Sequence, residues 1–241
     1  MVHDIDIFKL CRSILWHEND ARVLLETMRL LSSFYSHGMT SSTEDQKGTN
    51  GLIFLLKPTN DILPSVIHQI TVITTNTLHT ELLLSSLQLL AHITQFLCHL
   101  GDNDITENPA MTNDDADTEI KRVMALALAL MKQYQVEKLI DWGLDRLEEQ
   151  SRGVGIGMGL NRSIAIHVMY LLWLFFHHDL VALDNDPGRA IRPNDDILTR
   201  RLKPSMQAIV EYIQQEDEFD KSSDDKEIEQ LAEALGQFTI I

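Results

Sequence analysis

The sequence predicts an all-α fold, and three observations carry that prediction. Apolar residues recur at i, i+3, i+4 and i+7 through most of the chain, the spacing that lines one face of a helix. Asp, Asn or Pro stand before several of these runs and Gly or Pro after them, the residues that start and stop helices. The short runs that could be read as strands, Leu52–Leu56 and Gln69–Thr75, have no visible partner strand to pair with.

The deepest helix is expected at Ser163–Phe176, SIAIHVMYLLWLFF, the most apolar stretch, with Asn161 as its N-cap. Apolar side chains fill every face, as in a helix that is buried or inserted in a membrane. A bilayer span needs about 20 apolar residues. This run is interrupted by His167 and ends in His177-His178-Asp179, so it reads as a core helix and no membrane span is expected.

In chain order, Asp4 or Asp6 caps a first helix, IFKLCRSILW, and Asn19 or Asp20 opens a second that ends near Gly38. Residues 38–51 form a polar loop, and Leu52–Leu56 reads as a helical turn. Asn60-Asp61 then lead into a helix with Pro64 in its first turn, where the missing amide is harmless. His79–Leu100 is strongly periodic and stops at Gly101, and residues 101–118 form an acidic loop. Helices follow from Glu119 to about Tyr134 and over Val136–Gln150. A glycine-rich link spans residues 151–161, and a turn covers 183–195 after the core helix. Asp195 or Asp196 caps ILTRRLKPSMQAIVEYIQQ, broken or kinked at Pro204. The expected organisation is one helical domain over 1–215, then an acidic tail over 216–241 with a short terminal helix or a disordered end.

Leu30-Leu31, Leu89-Leu90, Leu130-Met131 and Leu171-Leu172 recur at intervals of 59, 41 and 41 residues, with the residue 38–51 loop inside the longest interval. Repeats of roughly 40 to 47 residues mark arrays in which helical hairpins bury each other's faces. In these Leu-Leu pairs, and in Pro64 and Pro204 at helix starts, the chain resembles an armadillo- or HEAT-like α-solenoid. The resemblance implies an extended protein-binding surface and carries over no functional residue. The alternative architecture is an irregular helical bundle. Because the chain begins almost directly inside a helical pattern, it is also expected to be part of a longer array or of a multi-subunit complex.

Composition narrows the function. A formal charge of −16 disfavours nucleic acid, whose phosphates demand clustered Lys and Arg, and favours basic or mixed-charge protein partners. Two cysteines, Cys11 and Cys98, both in apolar stripes, fit a reducing cytoplasmic or nuclear compartment.

No constellation spells out a reaction or a cofactor. Gly153, Gly155, Gly157 and Gly159 alternate, but Met158 and Leu160 stand where a dinucleotide fingerprint needs glycine, and a helix precedes them. Asp102, Asp104 and Thr106 begin like a calcium loop that then fails at Glu107 and Asn113. His92, Cys98 and His99 share one helix and His177 and His178 another, without four convergent ligands in either place. Ser163 lacks a nucleophile-elbow motif.

The expectation is therefore a non-catalytic scaffold or adaptor without metal or cofactor. Its partner-binding candidates are Trp142 and Arg146 with the basic concentration Arg189, Arg192, Arg200, Arg201 and Lys203, suited to an acidic or phosphorylated segment of another protein. Ser222 and Ser223, before Asp224-Asp225, resemble acidophilic kinase sites. The alternative from another class is an all-α enzyme or ligand binder with a pocket near His92, His167 and Trp173.

Overall fold

A computed structural model describes residues 7–40, 62–102, 136–155, 159–178, 198–215 and 222–238 of the chain. Among these residues all regular structure is helical: α1 (Ile7–His17), α2 (Ala21–Thr40), α3 (Ile62–Asn76), α4 (Thr80–Asp102), α5 (Glu137–Gly155), α6 (Arg162–His177), α7 (Lys203–Gln215) and α8 (Ser223–Gly236), with a π-helical turn at Leu198–Leu202 leading into α7. The helical turn expected over residues 52–56, the helix over 119–134 and the turn over 183–195 lie outside the described residues.

The chain divides into two compact units, Met1–Met131 and Lys132–Ile241, where the sequence reading drew one domain over 1–215 and a tail. In the first unit three residues join α1 to α2 and three join α3 to α4, and each pair packs together. The two pairs then meet like on like, α1 on α3 and α2 on α4. In the second unit α5 pairs with α6 and α7 with α8, and again first helix meets first, α5 on α7, and second meets second, α6 on α8. The Leu-Leu pairs at 30, 89 and 171 fall on α2, α4 and α6, each the second helix of its pair.

The first unit follows from its apolar spacing. Phe8, Cys11 and Leu15 put one buried stripe on α1. Asp20 accepts from the Arg22 amide at 2.8 Å and so starts α2, while Glu18 takes the Asn19 and Asp20 amides. Tyr35 meets Phe96 edge to face at 5.4 Å between ring centres, joining α2 to α4. The β-branched segment Gln69–Thr75 is helix rather than strand. Its Thr71, Thr74 and Thr75 hydroxyls donate to the carbonyls of Ile67, Ile70 and Thr71, which hides their polarity within the helix. Both α2 and α4 run past the glycines expected to stop them, to Thr40 and Asp102.

In the second unit, α6 is the central helix. Nine of its side chains are buried, and Asn161 accepts from the Ile164 amide at 3.1 Å as the expected cap. Gly143 on α5 lets α6 come close: a Cβ there would lie 3.3 Å from Leu172 Cδ2 and 3.4 Å from Val168 Cγ1. The link expected over 151–161 begins later than supposed, because α5 continues through Gly155, and among the described residues Gly159 adopts a positive φ, of 80°. Arg152 assists there, its guanidinium bonded to Glu148 one turn back and its charge favourable at a helix C-terminus.

The C-terminal third holds one expected feature and one departure. Pro204 breaks the helical pattern, standing in the first turn of α7 with a π-helical turn just before it. The segment read as an acidic tail contributes α8, a helix of 14 residues that packs on α6 and α7 and buries Asp225, Ile228 and Leu235. Phe238 follows it, 5.9 Å from the Phe176 ring of α6.

Candidate functional site

Five of the sequence-nominated residues, Trp142, Arg146, Arg201, Ser222 and Ser223, have described contacts within the second unit, and three of them sit on or against α5. The face of α5 that receives the chain just before α7 carries Asp141, Asp145 and Glu148, at i, i+4 and i+7. Arg201, from the π-helical turn, lies across all three. Its Nε donates to Glu148 at 2.7 Å, its Nη2 to Asp145 at 2.5 Å, and Nη1 stands 3.9 Å from Asp141. The Glu148 hydrogen bond leads in raising the Arg201 pKa above its ordinary value, with Asp145 adding to it against a smaller opposing effect of burial.

Arg146 is engaged as well. It donates to Glu149 at 2.7 Å and sits 5.5 Å from the centre of the Trp142 ring, a cation–π arrangement. Trp142 is half-buried, and its indole Nε1 is covered without a hydrogen-bond partner. Arg200 and Lys203 are exposed beside Arg201. Arg189 and Arg192 lie outside the described residues.

Within the basic concentration that suggested an acidic partner, Arg201 is therefore answered from within, and Arg146 beside Trp142 likewise spends its charge on a carboxylate of α5. What the same helix presents outward is acidic. Glu137, Asp141, Asp145 and Glu149 are all exposed and stand four residues apart, an i, i+4, i+8, i+12 row along one side of α5. That row is legible in the four-residue spacing of the sequence, where the scarcer basic residues are the more conspicuous feature.

The histidines and cysteines have local roles. Ser32 Oγ and His92 Nδ1 share a 2.7 Å hydrogen bond between α2 and α4. His167 Nδ1–H donates to the Ser163 carbonyl at 2.8 Å, and Trp173 stacks between Tyr170 and His177 along α6. His92 belongs to one unit, and His167 and Trp173 to the other. Ser32 lies in the interior of α2, where neighbouring amides are committed to the helix. Burial raises the Cys11 thiol pKa, only partly offset by its own backbone hydrogen bond, which holds it in the unreactive protonated form. Among the described residues no group of three or more His, Cys, Asp and Glu could hold a metal ion, and no helix is long and apolar enough to cross a membrane.

Ser222 and Ser223, nominated for modification, mark the start of α8. Ser222 is its N-cap, in extended backbone, and forms a reciprocal capping box with Asp225. Ser223 is the exposed first residue of the helix. Comparisons with protein-family models, curated proteins and solved structures find no match to this chain.

Proposed function

We propose that this chain is a non-catalytic scaffold or adaptor that binds another protein through stacked helical hairpins, in the manner of an armadillo- or HEAT-like array. The single observation that carries the reading is the repeated like-on-like contact: in both units the first helix of one hairpin meets the first helix of the next and the second meets the second. Such stacking leaves the outer sides of successive hairpins in line, which is how repeat proteins build a broad surface from short elements. The Leu-Leu pairs on α2, α4 and α6 support the same reading, because they place one sequence feature on the second helix of three described hairpins, while Leu130-Met131 lies outside the described residues.

The partner is a basic or mixed-charge protein segment that meets the α5 side. Exposed Glu137 and Asp141 supply the attraction and orientation, their neighbours Asp145 and Glu149 being engaged by Arg201 and Arg146, and half-buried Trp142 supplies an apolar anchor beside them. The overall charge of −16 acts in the same direction at longer range. An acidic partner is less well served, since Arg146 and Arg201 already have carboxylate partners in the folded protein.

Affinity purification of the tagged chain from its native extract at moderate salt tests this function. A stoichiometric protein partner released by raised salt is expected. A clean preparation without partner, at low salt as well, would contradict it.

A further inference from the structure

The second unit closes on an ionic clasp that joins the starts of α6 and α8. Asp225, the third residue of α8, is fully buried, and each of its oxygens is used. Oδ1 accepts from Arg162 Nε at the start of α6, across 2.5 Å. Oδ2 accepts from both the amide and the hydroxyl of Ser222, each at 2.8 Å. Ser222 itself is exposed, and Asp225 stands three residues after it. A carboxylate at that position is the determinant for an acidophilic serine kinase, and Ser223, with Lys226 in the corresponding place, lacks it.

We propose that Ser222 is a phosphorylation site and that its modification opens the clasp, releasing α8 from α6. The phosphoryl group of a nucleoside triphosphate passes to Ser222 Oγ. An O–P bond forms there, the bond to the departing nucleoside diphosphate breaks, and the hydroxyl proton goes to solvent. The modified oxygen can no longer donate to Asp225, and the new group brings about −1.5 to −2 charges against a carboxylate that water cannot reach. Among the described residues Arg162 is the cation bonded to that carboxylate, and its single charge cannot neutralise both anions. A phosphate at a helix N-terminus does gain from the helix dipole, but that gain is small beside the repulsion of like charges in contact.

Folding and modification also exclude each other at the recognition step. The carboxylate that a kinase would read is covered while α8 is docked, so the kinase captures molecules whose first turn of α8 has opened. The phosphate then keeps that turn open. Release uncovers the side of α6 that α8 protects, including Phe176, which loses the neighbouring Phe238 ring.

The test treats the full chain with an acidophilic serine kinase and ATP–Mg, then maps the modified peptide and follows hydrogen exchange of the α8 amides, with the α4 amides as internal reference. Modification at Ser222 and exchange in α8 faster by about tenfold or more are expected. Ser222→Asn and Ser222→Asp separate charge from capping, since Asn, Asp and Ser cap helices about equally. The proposal requires that Asn leave α8 exchange unchanged, that Asp accelerate it, and that Asp225→Asn in the Asp variant restore it toward the unmodified rate. An unmodified Ser222 after kinase treatment, or equal exchange in the Asn and Asp variants, would overturn it.

Discussion

Arg162 Nε and Asp225 Oδ1 lie 2.5 Å apart, and this bond ties the first turn of α6 to the first turn of α8, 63 residues later. Burial alone would raise the Asp225 pKa. The Arg162 hydrogen bond, the two Ser222 hydrogen bonds and the Arg162 charge outweigh it and hold the carboxyl below its ordinary range. The side chain is fully covered but by a thin layer, so the cost of losing its partner belongs at the low end for buried pairs. Arg162→Ala should destabilise the second unit by about 2–3 kcal/mol, read by denaturant unfolding. An effect within error of zero would remove the clasp from the account.

The same pair sets a pH dependence. The unfolded carboxyl titrates near about 3.9 and the folded one lower, so in the interval between them the unfolded chain binds more protons. The contribution of Asp225 is complete above the unfolded value and fades as pH falls through the folded value. Comparing acid unfolding of the natural chain with Asp225→Asn should show a shallower loss of α8 protection below pH of about 4 in the variant. Parallel acid curves would contradict the assignment.

Arg201 holds the chain before α7 to α5 through Glu148 and Asp145. Glu148 is the better screened from water, its side chain 25% exposed against 68% for Asp145. Arg201→Ala should cost about 1 kcal/mol, and Glu148→Gln should cost more than Asp145→Asn. Arg201→Lys should recover only part of the loss, because an ammonium cannot span both carboxylates as the planar guanidinium does. Thermal unfolding of the four variants at low and high salt checks the order, and equal losses at Glu148 and Asp145 would contradict it.

Thr74 and Ser86 form a buried hydroxyl pair, 2.9 Å apart, between α3 and α4. Ser86 donates onward to the Leu83 carbonyl at 2.7 Å, and the Thr74 proton is shared between Ser86 and the Ile70 carbonyl. Thr74→Val and Ser86→Ala should each cost about 1 kcal/mol, while the double variant costs less than the sum because no hydroxyl is left unpaired. Strict additivity would show that the two hydroxyls are not coupled.

The helices were legible in the sequence wherever spacing and a capping residue agreed. Asn161 and the apolar run behind it gave α6 to within a residue at each end. The glycines misled, because Gly38, Gly101, Gly153 and Gly155 look like stops yet lie within helices whose tertiary contacts outweigh a glycine's local cost of about 1 kcal/mol. The α8 helix was masked by its charge: Asp224 and Asp225 suggested a solvated tail, whereas acidic residues in a first turn complement the helix dipole and one of them is buried against Arg162. Local reading also could not find Arg201's partners, which lie 53 to 60 residues earlier and meet it only through the α5–α7 contact. The all-helical class was therefore readable from periodicity, while the pairing of Arg201 with α5 was not.

The most direct measurement compares the natural chain with a Glu137→Lys, Asp141→Lys variant in affinity purification from native extract, followed by titration of the recovered partner. The account predicts that the natural chain retains a stoichiometric partner, that the variant binds it at least about tenfold more weakly, and that both remain folded at the temperature of the assay. A partner held equally by both proteins, or no partner held by either, would contradict the claim that α5 presents an acidic docking face.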